Sequence, residues 1–95
     1  MPAYAILDLK VFDKERLQEY IKVAPEIIKK LGGKIIVRGG EFNTVEGNWN
    51  PEKIVMIEFL DYKTANDWWN SDEYKKATEL RKQGADTNVL IIDGI

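Results

Sequence analysis

From Ala3 to Val11 the side chains alternate. Ala5, Leu7, Leu9 and Val11 fall on one side, and Tyr4, Ile6, Asp8 and Lys10 on the other, the period-two signature of a half-buried strand. The period then changes. Leu17, Tyr20, Ile21, Ala24, Ile27, Ile28 and Leu31 recur at intervals of three and four, one apolar stripe of a helix opened by Asp13 as N-cap and closed by Gly32-Gly33. Pro25, inside that stripe, lacks an amide donor and predicts a kink or break just before it. Lys34 to Arg38 and Lys53 to Phe59 are rich in Ile and Val and read as the second and third strands. The connector between them, with its G-N-W-N-P turn chemistry, predicts a surface flap in which Trp49 is tucked against the body.

After Asp61 helical spacing resumes, with Tyr62, Ala65, Trp68 and Trp69 as apolar positions. Ser71 followed by Asp72 and Glu73 reads as a fresh N-cap with acids in the first turn, so this region predicts two helices bent at Asn70-Ser71. The second carries Tyr74, Ala77, Thr78 and Arg81, and Gly84 can end it. Asn88 to Asp93 is the last predicted strand.

Strand, helix, strand, strand, helix, strand with right-handed crossovers predicts an α+β fold: a ferredoxin-like βαββαβ chain whose four-stranded antiparallel sheet carries its helices on one face. Parity assigns Ala5, Leu7, Leu9, Val11, Ile35, Val37, Val55, Ile57, Phe59, Leu90 and Ile92 to the helix side. The other face receives Ile6, Ile36, Ile54, Met56, Val89 and Ile91 among Asp8, Arg38, Glu58 and Asp93. Leaving that aliphatic group in water forfeits ~25 cal/mol for each Å² that a partner could cover. The expected partner is a second copy of the chain, in a two-fold homodimer packed through the open sheet face.

Composition narrows the function. The 95 residues fit one domain, of a size that gains from a second layer. Fourteen Lys plus Arg against sixteen Asp plus Glu give a net charge of −2, no field for a phosphate backbone, so nucleic acid is not an expected partner. The chain has no Cys and no His, which excludes disulfides, thiolate nucleophiles, Cys/His zinc sites and imidazole triads. Neither a basic leader nor a run of ~20 apolar residues occurs, so no membrane association and a cytoplasmic address are expected. The reading assigns no cofactor and no metal.

R-G-G (Arg38 to Gly40), E-G-x-W (Glu46, Gly47, Trp49), E-F (Glu58, Phe59) and W-W-x-S-x-x-Y (Trp68, Trp69, Ser71, Tyr74) occur in order along nearly the whole chain. In these the sequence resembles domain-of-unknown-function family thirteen-thirty, departing from it with Leu60 in place of a proline and Trp69 in place of a tyrosine. The resemblance implies a dimeric α/β barrel, in which two ferredoxin-like sheets pack against each other, and implies no reaction. Trp68 and Tyr74 also look like the aromatic pair of small cofactor-free monooxygenases, which hold an electron-rich substrate between helix and sheet. The haem-degrading branch of those enzymes needs an axial histidine, which this chain lacks.

Two charged residues among aliphatic neighbours, Arg38 and Glu58, are the candidate catalytic pair. They form either a structural ion pair, with Asp8 or across a dimer, or a site in which Arg38 clamps a carboxylate or enolate and Glu58 acts as base. Asp8, Trp49, Trp68, Trp69 and Tyr74 are the candidate ligand-binding residues, the aromatics serving otherwise as core. Gly39-Gly40 is expected to be a bulge or turn, and Arg81 a surface charge or a bridge to an acidic neighbour. Three functions follow: a small-molecule-binding homodimer with no assigned reaction, a cofactor-free oxygenase or isomerase on an activated aromatic or keto-enol compound, or a non-catalytic assembly module.

Overall fold

A computed structural model describes residues 1–95. The elements are β1 (Ala3–Val11), α1 (Lys14–Lys30), β2 (Lys34–Arg38), β3 (Lys53–Phe59), α2 (Tyr62–Asn70), α3 (Asp72–Lys82) and β4 (Ala85–Asp93). The strands form one antiparallel sheet in the order β2-β3-β1-β4. This is the expected ferredoxin-like arrangement, with the second helical region divided in two.

Local chemistry sets the helix boundaries. Asp13 accepts from the Arg16 amide at 3.1 Å and Asp61 from the Thr64 amide at 2.8 Å. Ser71 accepts from the Tyr74 amide at 3.1 Å and donates to the Trp68 carbonyl at 2.8 Å, which closes α2 and opens α3 at one residue. Pro25 does not break α1, which runs unbroken from Lys14 to Lys30. Gly84 sits at a crossing with no room for a side chain: a Cβ there would lie 2.6 Å from the Asp13 carbonyl oxygen and 2.7 Å from Leu17. Its own carbonyl accepts from the Phe12 and Asp13 amides, tying the end of α3 to the start of α1.

The core lies between sheet and helices. Leu7, Ile57, Phe59, Trp68 and Tyr74 are its largest fully buried side chains, and the rings of Phe59, Trp68 and Tyr74 stack at centroid separations of 5.2 and 4.3 Å. Parity holds for β1, where Ala3, Ala5, Leu7 and Leu9 are buried.

Two strands depart from the predicted parity. In β4, Ala85 pairs with Val11, Val89 with Leu7 and Ile91 with Ala5, so Val89 and Ile91 pack on the core. Leu90 and Ile92 are instead 53% and 52% exposed on the other face. The strand begins at Ala85, three residues earlier than Asn88. Asp93, opposite Ala3, shares the parity of Ile91 and leaves the open face. In β2 the register slips: Ile35 pairs with Ile57, but Val37 pairs with Met56 and Arg38 with Val55. Ile36 is the extra residue of a bulge. Past it every side chain changes face, which moves Val37 to the open side and Arg38 to the helix side.

Candidate functional site

Between α1 and the sheet lies an apolar cleft of about 170 Å³. Leu17, Tyr20, Ile21, Ala24, Pro25 and Ile28 of α1 form one wall; Leu7, Leu9, Ile35, Val55 and Ile57 of the sheet form the other. The α1 residues recur at three and four, so one helix face presents them all. The charged residues of the lining are two cations, Arg38 and Lys53. Lys53 shares the parity of Val55 and Ile57, and the Ile36 bulge brings Arg38 to the same side. Neither forms an ion pair.

Behind Tyr20 is a second polar group that the sequence reading misplaced. Arg81 is not a surface charge and meets no acid. It is 3% exposed and sits among the rings of Tyr20, Trp69 and Tyr74, its guanidinium carbon 5.7 to 5.9 Å from each centroid. Its Nη1 donates to Tyr74 Oη at 2.9 Å, and Tyr74 Oη is 2.7 Å from Tyr20 Oη. Burial and the adjacent Tyr20 push the Tyr74 hydroxyl far above its ordinary titration range, against the smaller opposing pull of Arg81. Arg81 Nε and Trp68 Nε1 have no protein partner.

On the open face, Trp49 Nε1 donates to Asp8 Oδ2 at 2.9 Å. Thr44 Oγ1 donates to the Trp49 carbonyl at 2.8 Å, and the Val11 amide donates to Glu52 at 3.2 Å. These bonds hold the flap over β1. The Trp49 ring is latched but not tucked away, being 58% exposed. Asp8 Oδ1 is buried without a protein partner.

The structure therefore separates the predicted site residues. Arg38 stands at the cleft, whereas Glu58, opposite Tyr4 and Lys34, belongs to the other face of the sheet. Glu58 lines a shallow depression with Met1, Pro2, Gly32, Lys34, Phe59 and Leu60, and the two form neither an ion pair nor one site. Asp8 and Trp49 meet each other on the face of the sheet opposite to Arg38. Trp68 and Tyr74 are fully buried core residues and do not line the cleft, and Trp69 is half-buried beside Arg81. Tyr62, read as an apolar position of α2, is about half exposed. Lys53, Tyr20 and Arg81 were missed, although the parity of Lys53 with Val55 and the seven-residue spacing of Arg81 from Tyr74 were legible signals. No three acidic side chains cluster as a cation site, and no helix is long and apolar enough to cross a membrane.

The family model described as domain of unknown function (DUF1330) matches residues 2–95. Among solved structures, RPA0582, a protein of unknown function from Rhodopseudomonas palustris, superposes with a TM-score of 0.74 at 13% identity, over 99% of this chain and 82% of that one. A dimeric ferredoxin-like protein of unknown function from Jannaschia sp. CCS1 gives 0.68 at 11% identity, over 100% and 99%. SnoaB, a cofactor-independent oxygenase from Streptomyces nogalater, gives 0.68 at 5% identity, over 99% and 93%. At these identities the likeness is one of fold. No curated protein matches the sequence.

Proposed function

The chain belongs to the DUF1330 family of domains of unknown function, and from that premise we propose that it is a small-molecule-binding homodimer, each subunit holding one ligand in the cleft beneath α1. The observation that carries the reading is the cleft itself, about 170 Å³ with apolar walls from α1 and three strands. An apolar cavity of ~150 Å³ is large enough to admit benzene, so one ring fits. Concave apolar sites with few polar groups are the usual form of small-molecule sites.

Two facts support the dimer. Ile36, Leu90 and Ile92 stand exposed on the open sheet face, with Ile6, Ile54 and Met56 half-covered beside them, and the Jannaschia relative is described as dimeric. A second copy would cover this face and leave the cleft, on the helix side, free.

The catalytic alternative, with Glu58 as base, gains no support, because Glu58 and the cleft lie on opposite faces of the sheet. The assembly-only alternative gives no role to Arg38, which faces away from the open side. Amide NMR with toluene as the probe tests the binding reading. Shifts confined to α1 residues 17–28 and to the β1 and β3 residues that face them are the expected result. Unchanged spectra at millimolar toluene would remove it.

A further inference from the structure

Resting on that reading of the cleft, we infer that its ligand is a small single-ring carboxylate, with the ring between α1 and the sheet and the carboxylate held at the rim by Arg38 and Lys53. The bulge at Ile36 decides which face Arg38 serves. Regular pairing from Ile35–Ile57 onward would set Arg38 opposite Ile54, on the open face. The slip sets it opposite Val55 instead, among the residues of the cleft. Lys53 joins it from the facing strand. The Lys53 stem lies across Gly39, its Cγ and Cε each 3.1 Å from where a Cβ of that residue would be. Gly39 is held at φ +60 with its amide bonded to the Ile54 carbonyl at 2.8 Å. That conformation favours glycine, and a side chain there would displace the lysine.

The charge of the rim is unbalanced. The chain has more acids than bases, yet neither Arg38 nor Lys53 has a carboxylate within ion-pair reach and no acid lines the cleft. Two cations at one rim with no anion between them repel each other, and a bound carboxylate turns that repulsion into paired charge-assisted hydrogen bonds. The inner end is different. The only hydroxyl in the lining, that of Tyr20, is already bonded to Tyr74, so the wall offers a ligand's far end apolar contact. An anionic head and an apolar ring is the chemistry that fits both ends.

The test compares phenylacetate with toluene by amide NMR and calorimetry at low ionic strength, on the parent protein and on an Arg38→Met/Lys53→Met double variant. Phenylacetate is expected to bind at least tenfold more tightly than toluene, with shifts on the same α1 and strand residues. The double variant is expected to lose that preference while still giving toluene shifts on the same α1 and strand residues, which also shows that it is folded. Equal binding of the two probes, or a preference that survives in the double variant, would overturn the carboxylate inference and leave the cleft reading standing. Failure of both probes to bind would overturn the cleft reading itself, and phenylacetate shifts located elsewhere on the chain would overturn the assignment of the acid to this rim.

Discussion

Arg81 Nη1 donates to Tyr74 Oη at 2.9 Å inside the core, one turn-and-turn-again along α3, with no carboxylate to balance the guanidinium. Aromatic faces and one phenolic oxygen take the place of a counter-ion. Because Tyr74 also meets Tyr20 of α1 at 2.7 Å, a single hydroxyl joins the two helices above the inner wall of the cleft.

Removing that hydroxyl strands two buried donors or acceptors at once. Tyr74→Phe is expected to lower stability by about 1–3 kcal/mol, the usual cost of leaving buried polar groups unpaired. Arg81→Met has the opposite character: it removes a desolvated charge, keeps much of the volume, and leaves Tyr74 and Tyr20 paired. Its stability is expected within about 1 kcal/mol of the parent, since an apolar replacement for a buried charge is often neutral or favourable. Urea unfolding of both variants checks the ordering, and an Arg81→Met loss larger than that of Tyr74→Phe would contradict it.

The same burial sets an alkaline limit. Tyr74 is pushed far above the ordinary value of 10.0 in the folded chain, so above pH ~10 the unfolded chain releases this proton while the folded chain keeps it. Stability attributable to the group is full below that value and falls as pH rises beyond it. Exposed Lys63, raised by its bond and charge interaction with Asp67, acts in the same direction. Denaturation midpoints of parent and Tyr74→Phe between pH 8 and 11 are therefore expected to converge as pH increases. A parallel pair of curves would show that Tyr74 ionises normally.

The proposed dimerisation through the open face gives Leu90 a specific role. It pairs with Ile6 midway along the β1–β4 ladder and is half exposed in the single chain, so an acid placed there would be buried unpaired in the dimer and solvated in the monomer. Sedimentation velocity is expected to report a dimer for the parent and a monomer for Leu90→Asp, with the thermal midpoint of the monomer still cooperative. A parent that sediments as a monomer at micromolar concentration would end the dimer proposal.

How much of this the sequence disclosed depended on whether a strand had real alternation. β1 alternates over nine residues, and its faces were read correctly. β4 contains Val89-Leu90-Ile91-Ile92, four aliphatics in a row, so its parity is set by where Ala85 meets Val11 and not by the run itself. The bulge at Ile36 has no glycine or proline to announce it, which is why Arg38 was placed on the wrong face. Trp68 and Tyr74 were visible as aromatics, but only packing decides between core and cleft wall. Arg81 was misread because a lone arginine on a helix is ordinarily solvated, and its burial needs three rings brought from α1, α2 and α3.

Pro25 lies within α1 and lines the cleft beside Ile21. Without an amide hydrogen it leaves the Ile21 carbonyl without its usual partner, and a proline in a helix interior costs about 3 kcal/mol relative to alanine. Two terms oppose the gain from replacing it: the unfolded chain recovers about 0.4–1 kcal/mol of entropy, and the ring's apolar contact with the cleft is lost, about 1 kcal/mol for a partly exposed side chain of that size. The helix term is the larger, so Pro25→Ala is expected to be more stable than the parent by about 1 kcal/mol. The same change removes part of one wall, so toluene binding is expected to weaken as stability rises. Chemical denaturation and the toluene titration on one sample read both quantities. A variant that is less stable would show that α1 is shaped to the proline. A variant that is more stable with toluene affinity unchanged would place the bound ring away from Pro25, toward Leu9 and Leu17.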